Sequence, residues 1–221
     1  MLKYILFISF IIFIDNIFCQ SGNRVPCAGI TNVEYGGKIY HTVQIGSQCW
    51  FKENLNIGVM IKGNIEQSNN GIIEKYCYND SLINCEKYGG LYQWDEAMQY
   101  SETEGIQGIC PTGWHIPTAQ EFKSLIDTIH QNSNTLLMIG QGNGYMAGTN
   151  KSGFSGLLAG SYIVKDDLYY GLGEITYWNS STKNIQDYIF ALVVGPALQS
   201  NQVFLNNGPR KTPLSVRCIK D

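Results

Sequence analysis

Six cysteines carry the most specific chemistry in this chain: Cys27, Cys49, Cys77, Cys85, Cys110 and Cys218. They follow an N-terminal Cys19, and their even number predicts disulfides. Cys77 and Cys85 flank a short polar stretch, Tyr-Asn-Asp-Ser-Leu-Ile-Asn, that can turn and bring them together. Cys27 and Cys49 bracket an expected hairpin whose outer ends lie close, which leaves Cys110 for Cys218. Zinc is the rival use of such residues, but no Cys-x2-Cys knuckle occurs and His41, His115 and His130 are scattered. Oxidised cysteines also offer no thiolate nucleophile. No metal site is therefore expected.

A second group is aromatic. Tyr169, Tyr170, Tyr177 and Trp178, followed by Asn179, form the densest such patch in the chain. Exposed rings can stack on sugars while an amide supplies hydrogen bonds, so Tyr169, Tyr177, Trp178 and Asn179 are the candidate ligand-binding residues. The competing reading is burial in a second core layer.

Catalytic patterns are weaker. Asp95-Glu96 and Asp166-Asp167 pair carboxylates as acid–base catalysts do, yet adjacent acids are ordinarily surface charge. Ser155 sits in Gly-Phe-Ser-Gly, but residue 157 is leucine where a Gly-x-Ser-x-Gly elbow needs glycine. Gly140-Gln-Gly-Asn-Gly-Tyr has the glycines of a phosphate loop without a following Gly-Lys-Ser/Thr. Trp114, His115 and Pro117 read as core packing and helix entry. The expectation is a protein that is not an enzyme and uses no cofactor, with a hydrolase built on a carboxylate pair as the alternative.

The elements that must hold these residues are legible in outline. Val33–Tyr35 and Lys38–Tyr40 alternate around Gly36-Gly37, which predicts a hairpin, its second strand running on to Ile45. Val59 to Glu74 repeats the pattern more faintly. Leu91–Tyr100 has the spacing of a short helix with one buried face. Thr118 with Glu121 is a capping box, and Phe122, Leu125, Ile126 and Ile129 follow at helical spacing. From Leu136 the chain turns to glycine-rich loops and short strands, with Ile189–Val194, Val203–Leu205 and Ser215–Ile219 closing it. Strands at both ends and helices between them predict an α+β fold with paired N- and C-terminal strands.

Residues 1–19 read as a secretory signal: Lys3, an apolar run from Tyr4 to Ile14, then Asp15-Asn16-Ile17-Phe18-Cys19. Asp15 and Asn16 stop the run short of the ~20 residues a membrane span needs. The chain would meet a membrane only through lipidation at Cys19 or an uncleaved signal, and Phe18 suits lipoprotein processing poorly. Residues 20–221 then form a single domain, secreted or at the cell surface. Net charge is −3 with 15% charged residues and no basic stripe, so nucleic acid is not an expected partner.

Several stretches, in order, resemble the Fibrobacter succinogenes major paralogous domain family. They are Gln48-Cys-Trp-Phe-Lys-Glu-Asn-Leu-Asn56, Tyr88-Gly-Gly-Leu-Tyr-Gln-Trp-Asp-Glu-Ala-Met98 and Cys110-Pro-Thr-Gly-Trp-His-Ile-Pro-Thr118. Gly153-Phe-Ser-Gly-Leu-Leu-Ala-Gly160, Tyr177-Trp-Asn-Ser-Ser-Thr182 and Ser215-Val-Arg-Cys-Ile-Lys220 complete the set. Asn179 departs from it, since the family more often has serine there. The resemblance implies a bacterial exported or surface protein. It also implies a C-type-lectin-like fold, whose terminal strands pair and whose long loop region carries the ligand site. Calcium-dependent sugar binding is not implied: neither Glu-Pro-Asn nor Gln-Pro-Asp occurs, and Ser180 follows Trp178-Asn179. Paired cysteines also argue against the formylglycine-generating relatives. The expected function is a binding module that contacts glycan or an extracellular protein through the loops of residues 140–210; a structural or adhesive surface protein is the remaining reading.

Overall fold

The computed structural model describes residues 27–221. The expected export signal and Cys19 lie outside the described residues. The chain opens with β1 (Asn32–Tyr35), β2 (Lys38–Ile45), β3 (Gln48–Phe51), β4 (Val59–Met60) and β5 (Glu74–Lys75). Three helices then alternate with short strands: α1 (Leu82–Tyr88), β6 (Leu91–Tyr92), α2 (Trp94–Ala97), β7 (Trp114–His115) and α3 (Ala119–Thr128). The second half is sheet: β8 (Ala159–Ile163), β9 (Leu168–Leu172), β10 (Thr176–Lys183) and β11 (Ile189–Val194). β12 (Phe204–Gly208), β13 (Leu214–Ser215) and β14 (Ile219–Lys220) close the chain.

This is the α+β arrangement the sequence predicts. One sheet runs β1-β2-β3-β14-β7, so the last strand inserts between β3 and β7 and ties the two ends of the domain together. A second runs β12-β11-β10-β13-β6, with β8 pairing both β10 and β9. The Gly36-Gly37 turn closes the first hairpin with Tyr35 opposite Lys38. Both glycines take positive φ, 58° and 74°, which side chains resist. The capping box forms in full: Thr118 Oγ1 accepts from the Glu121 amide, and the Glu121 carboxylate accepts from the Thr118 amide.

The end of the chain differs from the single strand expected over Ser215–Ile219. β13 joins the second sheet, opposite Leu91 and Tyr92, and β14 joins the first. Between them the backbone crosses from sheet to sheet, held by Leu55 N–H to Val216 O and Phe51 N–H to Cys218 O, at 2.8 and 3.0 Å. Arg217 sits on this crossing with no exposed surface. Its Nε and Nη2 donate to Asn54 Oδ1 at 3.1 and 2.7 Å, and Nη1 donates to the Phe154 carbonyl. The guanidinium also lies over the Phe154 and Trp178 rings, at 4.2 and 5.3 Å from their centroids. Burial pulls its pKa down to about 9, still above neutrality, so the group is a buried cation. It makes no ion pair among the described residues.

Two apolar clusters flank this layer. One gathers Tyr40, Phe51, Trp94 and Trp114; the other gathers Trp50, Phe122, Phe154 and Trp178. Three disulfides, Cys27–Cys49, Cys77–Cys85 and Cys110–Cys218, match the pairing expected from the sequence. The last closes the longest loop and ties the approach to β7 to the sheet crossing. No helix among the described residues is long and apolar enough to cross a membrane.

Three local expectations need correction. Leu91–Tyr100 is a two-residue strand followed by a single helical turn, because Leu91 pairs on both sides, with Tyr76 and Ser215. Positive φ at Gln99 and Tyr100 then ends the turn. Val59–Glu74 is no hairpin: β4 and β5 run parallel, with Val59 beside Glu74, since the long excursion between them lets the chain return in the same direction. The Cys77–Cys85 stretch holds the start of α1 as well as a turn, with Ser81 before the helix and Gly89, at φ 86°, after it.

Candidate functional site

Strand alternation decides which aromatics can meet a ligand. β10 lies between β11 and β13, and successive residues face opposite sides of the sheet. Trp178 faces the core beside Leu192 and Val194. Its neighbour Tyr177 points the other way, across from Val193, and remains partly exposed. Tyr170 of β9 approaches it edge-on, with ring centroids 6.4 Å apart and planes at 63°. Burial, then the adjacent Tyr170 hydroxyl, holds the Tyr177 phenol well above its ordinary pKa, so it is a neutral donor at physiological pH.

These two rings form one wall of a groove of about 200 Å³. Ile189, Ala191 and Val193 supply its apolar floor, and Asn206, Asn207 and Pro209 its rim. Both asparagines are exposed, and neither amide bonds another described residue. The groove is smaller than the ~300 Å³ at which drug-sized pockets begin.

The other expected binding residues lie elsewhere. Trp178 is fully buried and its indole N–H donates to Asn54 Oδ1 at 2.7 Å, so it cannot stack on a ligand. Asn179 is buried too; its Nδ2 donates to the Tyr92 carbonyl at 3.1 Å, while its Oδ1 meets no donor among the described residues. Tyr169 faces away from the groove, stacked on Tyr162 at 4.3 Å with its hydroxyl on Asp80 at 2.8 Å. The patch that looks continuous in sequence is thus divided by the sheet: Tyr177 remains, and Tyr170 takes the place expected of Tyr169. Asn206 and Asn207 had no local signal in the sequence, because only the β11–β12 pairing brings them to Tyr177.

The family model for the Fibrobacter succinogenes major domain matches residues 43–220. The chain belongs to this family. No curated protein and no solved structure matches it. The matched span of the Fibrobacter succinogenes major domain takes in the groove, the Arg217 crossing and every cysteine of the three disulfides except Cys27.

The remaining candidates in this Fibrobacter succinogenes major domain are engaged in structure. Asp95 pairs with Arg210, whose guanidinium also meets Asp187 at 2.9 Å. Glu96, 1% exposed, accepts from the Glu74 amide and the Tyr100 hydroxyl at 2.9 and 2.7 Å. Burial leads the influences on it, and its pKa is raised. Asp167 accepts from Tyr162, and Asp166 approaches Lys165 at 3.9 Å. His115 lies between Glu121 and Asp221, at 3.0 and 2.7 Å. Ser155 bonds Asn150 and the Gly153 carbonyl, and no histidine reaches it among the described residues.

Proposed function

We propose that this chain is an exported or cell-surface, non-enzymatic binding module that holds a glycan in the Tyr170–Tyr177 groove. The observation that carries the reading is the groove itself: two tyrosine rings set at an angle beside an apolar floor, with the unengaged Asn206 amide on the rim. A pyranose offers a C–H face to aromatic rings and hydroxyls to amides, so both kinds of surface are used. Three disulfides belong to an oxidising compartment, which supports residence outside the cytoplasm. The C-type-lectin-like resemblance of the sequence and the joined chain ends support the same reading. The acidic residues weighed for hydrolysis are held in ion pairs and hydrogen bonds, which favours binding over catalysis.

A glycan array probed with the oxidised chain tests this, beside a Tyr177→Ala variant. Retention of a defined glycan set by the wild type and its loss in the variant is the expected result. An array with no signal, or equal retention by both proteins, would sink the reading.

A further inference from the structure

A cleft of mixed polarity lies on a different part of the molecule, between β2, the segment after β3 and the end of α1. It measures about 310 Å³. Two carboxylates and three amines line it, and their pairings are unequal. Glu86 is taken by Lys38, and Glu53 by the His41 amide and ring, at 2.7 and 2.9 Å. Lys52 and Lys87 make no ion pair among the described residues; the Lys87 amine lies 4.8 Å from the Tyr88 ring centroid.

More positive charge stands behind the wall. Asn54 lines the cleft and carries Arg217 on its Oδ1, and Ser155 lines it next to Phe154, whose carbonyl holds the same guanidinium. That buried cation makes no ion pair among the described residues; Glu53, on the cleft wall, feels its charge, so its field reaches the cleft from behind the wall. In a chain of net charge −3 this is a local excess of positive charge.

The rest of the lining is not that of a phosphate site. Ile39 and Met138, 55% and 39% exposed, and Leu157 give it apolar walls. Asn56, 6% exposed, has its Nδ2 on Glu86 at 3.4 Å while its Oδ1 meets no donor among the described residues. A ligand hydroxyl or a bridging water supplies that donor, and a fully deprotonated anion does not.

We propose that this cleft is a second, independent ligand site for a carboxylate-bearing sugar of the hexuronate class. Lys52 and Lys87 face the carboxylate, and the amide and apolar walls take the ring. The proposal does not rest on the tyrosine groove.

Titration of the oxidised chain with sodium glucuronate, its methyl ester, glucose and inorganic phosphate, followed by calorimetry, tests it. Glucuronate should bind, weaken with added salt, and bind at least tenfold more tightly than the ester or glucose. The double variant Lys52→Glu/Lys87→Glu, with both changes on surface side chains, should lose that binding while keeping the wild-type circular dichroism. Tyr177→Ala should leave it unchanged. The proposal is overturned if the ester or phosphate binds as tightly as glucuronate, or if the double variant retains full affinity. Loss of glucuronate binding in Tyr177→Ala would place the ligand in the groove instead and overturn it equally.

Discussion

Arg217 and Asn54 hold each other inside the domain, with the guanidinium placing Nε and Nη2 at 3.1 and 2.7 Å from a single amide oxygen. The same oxygen accepts the Trp178 indole N–H at 2.7 Å, so three donors from two elements converge on one side chain. Asn54 returns its own Nδ2 to the Tyr88 carbonyl at 2.8 Å. One asparagine therefore ties the sheet crossing, β10 and the end of α1 together around a buried cation.

Removing the acceptor should hurt more than removing the cation. Asn54→Leu leaves the guanidinium buried with one carbonyl and two ring faces, and should cost about 3–5 kcal/mol. Arg217→Met removes the charge together with its desolvation cost and leaves chiefly the Phe154 carbonyl unpaired, a loss of about 1–3 kcal/mol. Urea unfolding of both variants checks the order; a larger loss in Arg217→Met would refute it.

Adjacent residues on β10 should separate stability from recognition. Trp178→Ala opens a cavity in the core and should cost about 3–5 kcal/mol. Tyr177→Ala should change stability far less, yet weaken glycan binding by at least about 1 kcal/mol, roughly fivefold in affinity. Thermal melts beside binding isotherms distinguish the two effects.

The disulfides should differ in worth by the loops they close. Cys110–Cys218 spans a sequence separation of 108 and Cys77–Cys85 only 8. Chain entropy puts the first at about 5 kcal/mol and the second at about 2.5. Paired Cys→Ala variants compared in denaturant should show the larger shift for Cys110 and Cys218.

His115 gives stability a defined pH limb. Burial disfavours its charged ring, but the Glu121 and Asp221 carboxylates outweigh that and raise its pKa above the usual histidine value. Its stabilisation is therefore complete below about pH 6.5 and lost as pH rises through the higher folded value. Burial also opposes the Glu121 charge, yet His115 and the Thr118 amide lower its pKa, so its share is present above about pH 4.3 and lost on acidification. The difference in Tm between wild type and His115→Gln should be largest near pH 5–6, within that window, and shrink toward alkaline pH. A difference independent of pH would rule this out.

Much of the frame was legible along the chain. The Gly36-Gly37 hairpin, the Thr118–Glu121 capping box and β11 over Ile189–Val194 are local patterns, set by backbone conformation and periodicity within a few residues. The disulfide pairing was legible too, since two pairs are close in sequence and the third follows by elimination. Less was legible where pairing is distant: Leu91 and Tyr92 have helical spacing, yet β13 recruits them from over a hundred residues away.

The aromatic patch marks the boundary most clearly. Its composition is plain along the chain, where Tyr169 to Asn179 hold the densest rings. Which of those rings stay open to solvent is settled by packing between strands distant in sequence. A strand sends successive side chains to opposite faces, and which face is core depends on what packs against it: here α3 and the Trp50 cluster cover Trp178, while Tyr170 and the exposed Asn206 of β12 frame Tyr177.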